Sequence, residues 1–156
     1  MSKSTQKQFG AFAVAAAIGV AVVASMPAQA RSAPLSPEQQ IERFGNKWAS
    51  AFAAGSPKHM GQPALQQMFG CKGPGGNKIR NCTPLSSAYR KSFKDARVQD
   101  IAIKYGPAGI NFGSAGVKFS NGKAVELYFQ GAAPGGAKFN ASIAKIGGKV
   151  GRRFFK

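Results

Sequence analysis

The side chains able to do chemistry are few, and their spacing sets how far each can be taken. In 156 residues there is one His, His59, and there are two Cys, Cys71 and Cys82. That is short of the four nitrogen or sulfur ligands of a structural zinc site. A cysteine nucleophile needs a free thiolate, whereas two thiols in an oxidising compartment have reason to pair. A bridge across Cys71-Lys72-Gly73-Pro74-Gly75-Gly76-Asn77-Lys78-Ile79-Arg80-Asn81-Cys82 closes a short loop and stabilises the fold by roughly 3 kcal/mol on chain-entropy grounds. The glycine-rich centre of that loop cannot hold a regular structure by itself. It contains Gly and Lys but not the G-x-x-x-x-G-K-[ST] order of a phosphate-cradling loop, and no strand leads into it. His59 follows the helix start Ser56-Pro57, where a solvated role is expected. The chain has no nucleophile elbow, no Ser/His/Asp set in a convincing context and no metal cluster, so neither a metal nor an organic cofactor is expected.

Positive charge is what the chain supplies in quantity. Lys and Arg number 22 against 5 Asp and Glu, a formal +17. Lys3 and Lys7 open the chain, residues 8–30 carry no charge, residues 11–25 are an apolar core, and Ala28-Gln29-Ala30 ends the run with small residues. This is the pattern of a secretory signal peptide over residues 1–30, cleaved before Arg31, and it predicts a secreted, periplasmic or cell-envelope location. Left in place, the run approaches the length that spans a bilayer; Pro27 and the Ala-x-Ala site favour cleavage. Its removal takes two cations and no acid, leaving +15. A charge of that size attracts polyanions. Outside the cytosol these are envelope polymers or anionic lipid surfaces, and no specific nucleic-acid role is expected. Lys145, Lys149, Arg152, Arg153 and Lys156 alternate with glycine, Phe154 and Phe155 and are the expected polyanion contacts of a basic, aromatic tail over residues 147–156. At least one of the two Phe is expected to close the core instead, since an exposed pair invites aggregation.

The elements that must position these groups follow from caps and periods. After a linker at residues 31–35, Ser36-Pro37-Glu38-Gln39 offers an N-cap hydroxyl, a Pro at the first helical position and a Gln at the third. Ile41, Phe44, Trp48, Ala51 and Phe52 then recur on one face. Residues 57–69 read as one broken or two short helical pieces, interrupted by Pro63, with Leu65, Met68 and Phe69 inward. A third start is read at Thr83-Pro84, with Leu85, Ala88, Tyr89 and Phe93 as its buried stripe. From residue 97 the period becomes that of strands, over 97–104, 115–120, 123–130 and 137–146, with residues 105–114 as an irregular insert or short edge strand. A two-residue turn at Asn121-Gly122 would set Val117 opposite Glu126. A three-residue loop with a left-handed Gly122 sets Val117 opposite Val125 and Ala115 opposite Leu127, and burial selects it. Lys118 and Glu126 then form an exposed diagonal pair on the other face, worth little. The fold class expected is α+β, with two or three N-terminal helices packed on a curved antiparallel sheet.

The order Ile41-x-x-Phe44-x-x-x-Trp48-x-x-x-Phe52-Ala53-Ala54-Gly55-Ser56-Pro57, the later Ser92-Phe93-Lys94-Asp95-Ala96-Arg97-Val98, and Phe119-Ser120-Asn121-Gly122 leading into Val125-Glu126-Leu127-Tyr128 resemble secreted bacterial members of the nuclear-transport-factor-two-like, or SnoaL-like, superfamily. The resemblance covers most of residues 36–146 and implies a blunt cone with an apolar cavity, lined here by Trp48, Phe52, Val117, Val125, Leu127 and Phe129. It also implies pairing of two copies through the outer sheet face. Function does not transfer with such a fold. A cavity of this kind suits a small apolar ligand. The isomerase branch would need an acid or base and an oxyanion donor inside the cone, which leaves Asp100 with Tyr89 or Tyr128. The preferred reading is a non-enzymatic exported domain that binds polyanions or a small apolar ligand, with an isomerase- or cyclase-like enzyme as the alternative.

Overall fold

A computed structural model of the protein describes residues 33–107, 109–133 and 138–156; the expected signal peptide and its cleavage site lie outside them. Helix α1 (Pro37–Ala53) begins as its local sequence dictates: the Ser36 hydroxyl accepts from the Gln39 amide at 3.2 Å, and the Ser36 amide donates to the Gln39 side chain at 2.9 Å. These reciprocal bonds satisfy two donors otherwise free at a helix start. Gly55, at φ +92°, turns the chain away past the last helical residues. The buried face is Ile41, Gly45, Trp48, Ala49 and Phe52. Gly45 is there because a Cβ on it would stand 2.8 Å from a Val98 methyl group, so its absence lets helix and sheet approach.

Helix α2 (Gln62–Met68) holds Pro63 in its first turn rather than being broken by it, since Pro lacks only an amide hydrogen that a first helical turn leaves unused. Ahead of it, residues 59–61 run alongside the last strand, the Gly61 amide donating to the Ile143 carbonyl at 2.7 Å and the Ile143 amide to that of His59 at 2.8 Å. Phe69, expected inward, is 60% exposed; the helix stops at Met68, which removes Phe69 from the stripe of Ala64, Leu65 and Met68. Cys71 and Cys82 are bridged. The loop between them is more ordered than its glycines suggest: Lys72 pairs with Lys78 across a 3-10 turn at Pro74–Gly76. Helix α3 (Ser87–Lys91) begins at Ser86, whose hydroxyl accepts from the Tyr89 amide at 3.0 Å, and not at Thr83. Residues 83–85 are held along α2 instead, with the Leu85 amide on the Gln67 carbonyl and the Gln67 side chain on the Thr83 carbonyl.

The helices are followed by one antiparallel sheet of β1 (Val98–Gly106), β2 (Gly109–Phe119), β3 (Ala124–Gln130) and β4 (Asn140–Ile146), in that spatial order. The chain is therefore α+β. Val117 stands opposite Val125 and Ala115 opposite Leu127, with Gly122 at φ +75° in the connecting loop: burial has selected the register. Of the insert or short edge strand expected over 105–114, residues 105–106 end β1 and residues 109–114 begin β2, so both parts are strand. Gly106 lies under the Phe112 ring and Gly113 faces the Lys104 carbonyl, so these glycines make room within the ladder. The inner face carries Val117, Phe119, Val125, Leu127 and Ile143 against α1 and α2. Trp48 stacks on Phe52 with centroids 4.6 Å apart, and Phe93 meets Phe52 and Phe119 edge-on at 5.4 and 5.3 Å.

The last residues are not a tail. Helix α4 (Gly148–Phe154) lies on the outer face of the sheet over β2 and β3, with Val150 buried and Phe154 occupying the space where Gly116 has no side chain. It covers the middle of the face through which pairing of two copies was expected. Among the described residues no helix is long and apolar enough to cross a membrane.

Candidate functional site

The residues that sequence reasoning offered for an enzyme do not meet. Asp100 stands opposite Lys118, which alternates with inward-facing Val117, and is exposed on the outer face. Tyr128 is on that face too and is 55% exposed. Tyr89 belongs to α3 and packs against Phe93, with the Lys123 ammonium 5.0 Å from its ring centre; burial raises its phenol above the ordinary value. His59 is exposed, its ring edge-on to Phe44 at 5.8 Å. Among the described residues no three His, Cys, Asp or Glu side chains come together as a metal site.

The six side chains expected to line a cavity are all buried, and they meet one another as core. Phe129 alone among them borders a concave surface described below. Glu126 needs a larger correction. It is fully buried rather than exposed, and its partner is not Lys118: the Arg153 guanidinium donates through one nitrogen to both carboxylate oxygens, at 3.0 and 3.1 Å. Helix α4 carries Arg153 across the sheet and shields the pair. Arg153 is thereby partly committed, though its side chain keeps 50% of its surface exposed; Lys145, Lys149, Arg152 and Lys156 remain exposed.

Two grooves flank α4. The first, of about 630 Å³, lies between the disulfide loop, the end of α2 and the β4–α4 junction. The Gln67 side chain ties its walls together, donating to the Thr83 and Ile146 carbonyls at 3.3 and 3.2 Å and accepting from the Ile146 amide at 3.3 Å. Arg80 stands on the disulfide-loop wall, Lys145 and Lys149 on the opposite one, and no carboxylate is in the lining. Lys145 and Lys149 belong to the expected polyanion contacts. Arg80 was missed as one: the bridge was expected, but what brings its loop beside β4 is the Gln67 side chain bonding to Thr83 and Ile146, and that long-range tie does not show in a run of residues.

The second groove, of about 570 Å³, is on the outer face beyond the end of α4. Lys104, Ser114, Tyr128 and Ser142 of one rung and Phe112, Gln130 and Asn140 two residues further along line it, together with Tyr105, Gly113, Phe129 and Ala141 of the rung between them. Two-residue alternation places the first two of these sets on the same face as Gly116 and Glu126. Lys104 stands at its border with α4, its ammonium 4.8 Å from the centre of the Phe154 ring. Compared with protein-family models, with curated proteins and with solved structures, the chain matches none, so its own residues carry the functional reading.

Proposed function

We propose that this chain is an exported, strongly basic, non-enzymatic binding domain, and that the groove between the disulfide loop and the β4–α4 junction takes an anionic polymer of the cell envelope. The lining of that groove carries the proposal: Arg80, Lys145 and Lys149 converge on it and no acid opposes them. Attraction of this kind is driven by release of counterions from the polymer and weakens steeply with salt. The excess charge of the chain supports it. Among the described residues Glu126 is the acid that forms an ion pair, and it occupies Arg153 alone, so most cations keep their field for a partner. Export is supported by the Cys71–Cys82 bridge, which suits an oxidising compartment, and by the apolar leader with its Ala-x-Ala site. The fold belongs, in this reading, with the nuclear-transport-factor-two-like cones. Helices preceding a four-stranded antiparallel sheet, with α1 on its inner face, are what support that placement. The centre is filled by Trp48, Phe52, Phe93 and Phe119, which is why the ligand is placed in the groove and not inside.

The test is the salt dependence of binding to inorganic polyphosphate. Affinity is expected to fall steeply as sodium chloride rises. Replacing Arg80, Lys145 and Lys149 together by Glu should lower the logarithmic salt slope by about three, one for each lost contact. The same three-charge reversal at Arg43, Lys47 and Lys94, which are exposed elsewhere, should change it much less. Equal effects of the two triple variants would remove the groove from the proposal, and salt-insensitive binding would remove the polyanion.

A further inference from the structure

From the second groove we infer a separate saccharide-binding site on the outer sheet face, whose ligand is an acidic polysaccharide. The unusual feature is what α4 leaves uncovered. Tyr128 and Phe112, 55% and 41% exposed, present aromatic surface to solvent from adjacent strands on one face. Exposed aromatic surface clustered in a groove marks a binding site more often than isolated exposed apolar side chains do. The side chains between and beside the rings select the ligand. Ser114, Ser142, Gln130 and Asn140 bring hydroxyls and amides that both donate and accept. The side-chain hydrogen bonds near this face join Lys104 to the Arg153 carbonyl and Arg153 to Glu126; those four side chains and the Tyr128 hydroxyl make none with a described residue. A pyranose ring matches this arrangement, because its axial C–H groups form an apolar face for stacking while its hydroxyls around the rim donate and accept at once. An acyl chain would leave the four polar groups unpaired as it covered them, at a cost in free energy. A second copy of the chain meets the same groups on itself and has α4 standing in the middle of the face.

Charge complementarity decides between neutral and acidic sugars. The lining contains Lys104 and no carboxylate, and half-exposed Arg153 lies beside it, its carbonyl 3.5 Å from the Lys104 ammonium. Carboxylates along the polysaccharide would sit toward that border while the rings lie over Tyr128 and Phe112. This site differs in chemistry from the Arg80, Lys145 and Lys149 groove, where charge alone does the holding.

Calorimetric titration of the purified protein with alginate oligosaccharides tests it, with inorganic polyphosphate as the probe of charge alone. Tyr128→Ala should weaken alginate binding by about tenfold, the scale of one lost stacking partner, and leave polyphosphate binding as it was. Asn140→Ala combined with Ser142→Ala should act in the same direction, and thermal melting verifies that the variants fold. The inference is overturned if Tyr128→Ala binds alginate like the parent, if it loses both ligands equally, or if sedimentation reveals a dimer that Tyr128→Ala dissolves. Polyphosphate bound without alginate would sink this inference and leave the cationic groove standing; alginate bound through Tyr128 without polyphosphate would do the reverse.

Discussion

Glu126 shows how much one side chain can depend on a distant one. It is fully buried on the outer face, and its charge is answered by Arg153, 27 residues further on. Taking away one member of a buried pair leaves the other charge desolvated without compensation. No reading of β3 alone could find this, because strand alternation states which face Glu126 takes and not what will cover it. The capping box at Ser36, by contrast, was fully legible, since every atom it uses lies within three residues. Tyr89 allows a test at the same scale. Burial raises its phenol above the ordinary 10.0, so as pH climbs past that value the unfolded chain gives up its phenolic proton while the folded one still holds it. Stability is therefore present below the unfolded value and is lost as pH rises through the folded one. Tyr89→Phe should flatten that alkaline decline relative to the parent, measured as urea midpoints across the range; Lys123, whose ammonium lies over the ring, is present in both proteins, so the difference belongs to the phenol.

Among the elements, the disulfide loop and α4 depend most on single contacts. Replacing Cys71 and Cys82 together by Ser should cost about 3 kcal/mol, the entropy returned to an unfolded loop of this length, readable in denaturant unfolding. It should also loosen the Arg80 wall of the cationic groove. Gly116→Ala sets a methyl group where the Phe154 side chain lies, and should lift α4 at a cost of about 1–3 kcal/mol; faster hydrogen exchange over residues 148–154 would register it. The hairpin register was legible because only one pairing buries Val117, Ala115, Val125 and Leu127 together. The start of α3 was not, because Gln67 holds residues 83–85 against α2 and leaves Ser86 to cap. The strand character of residues 105–106 and 109–114 was left open between an insert and a short edge strand for a related reason. Their glycines resemble interruptions in a one-dimensional reading, yet in the ladder Gly106 accommodates Phe112 and Gly113 a neighbouring carbonyl.

For the molecule as a whole, like-charge repulsion opposes compactness. The cations far outnumber the acids, and one acid–base pair is made among the described residues. Raising ionic strength from about 0.01 to about 0.15 M, which shortens the screening length from roughly 30 to 8 Å, should raise the thermal midpoint; a fall would mean that attractive pairs dominate. The change from helical to strand period was enough to anticipate the α+β class, since it is a sum over many residues. The seat of α4 was beyond such sums, being set by one missing side chain and one buried acid. The strand-like pairing of residues 59–61 with β4 has a consequence for assembly. It occupies the hydrogen-bonding groups of Ile143 on one margin of the sheet, leaving β1 as the margin where foreign backbone could add. Among the described residues, sheets that join margin to margin through β1 would meet on the other side a margin already bonded at Ile143 and Ile146, which disfavours propagation into a fibre.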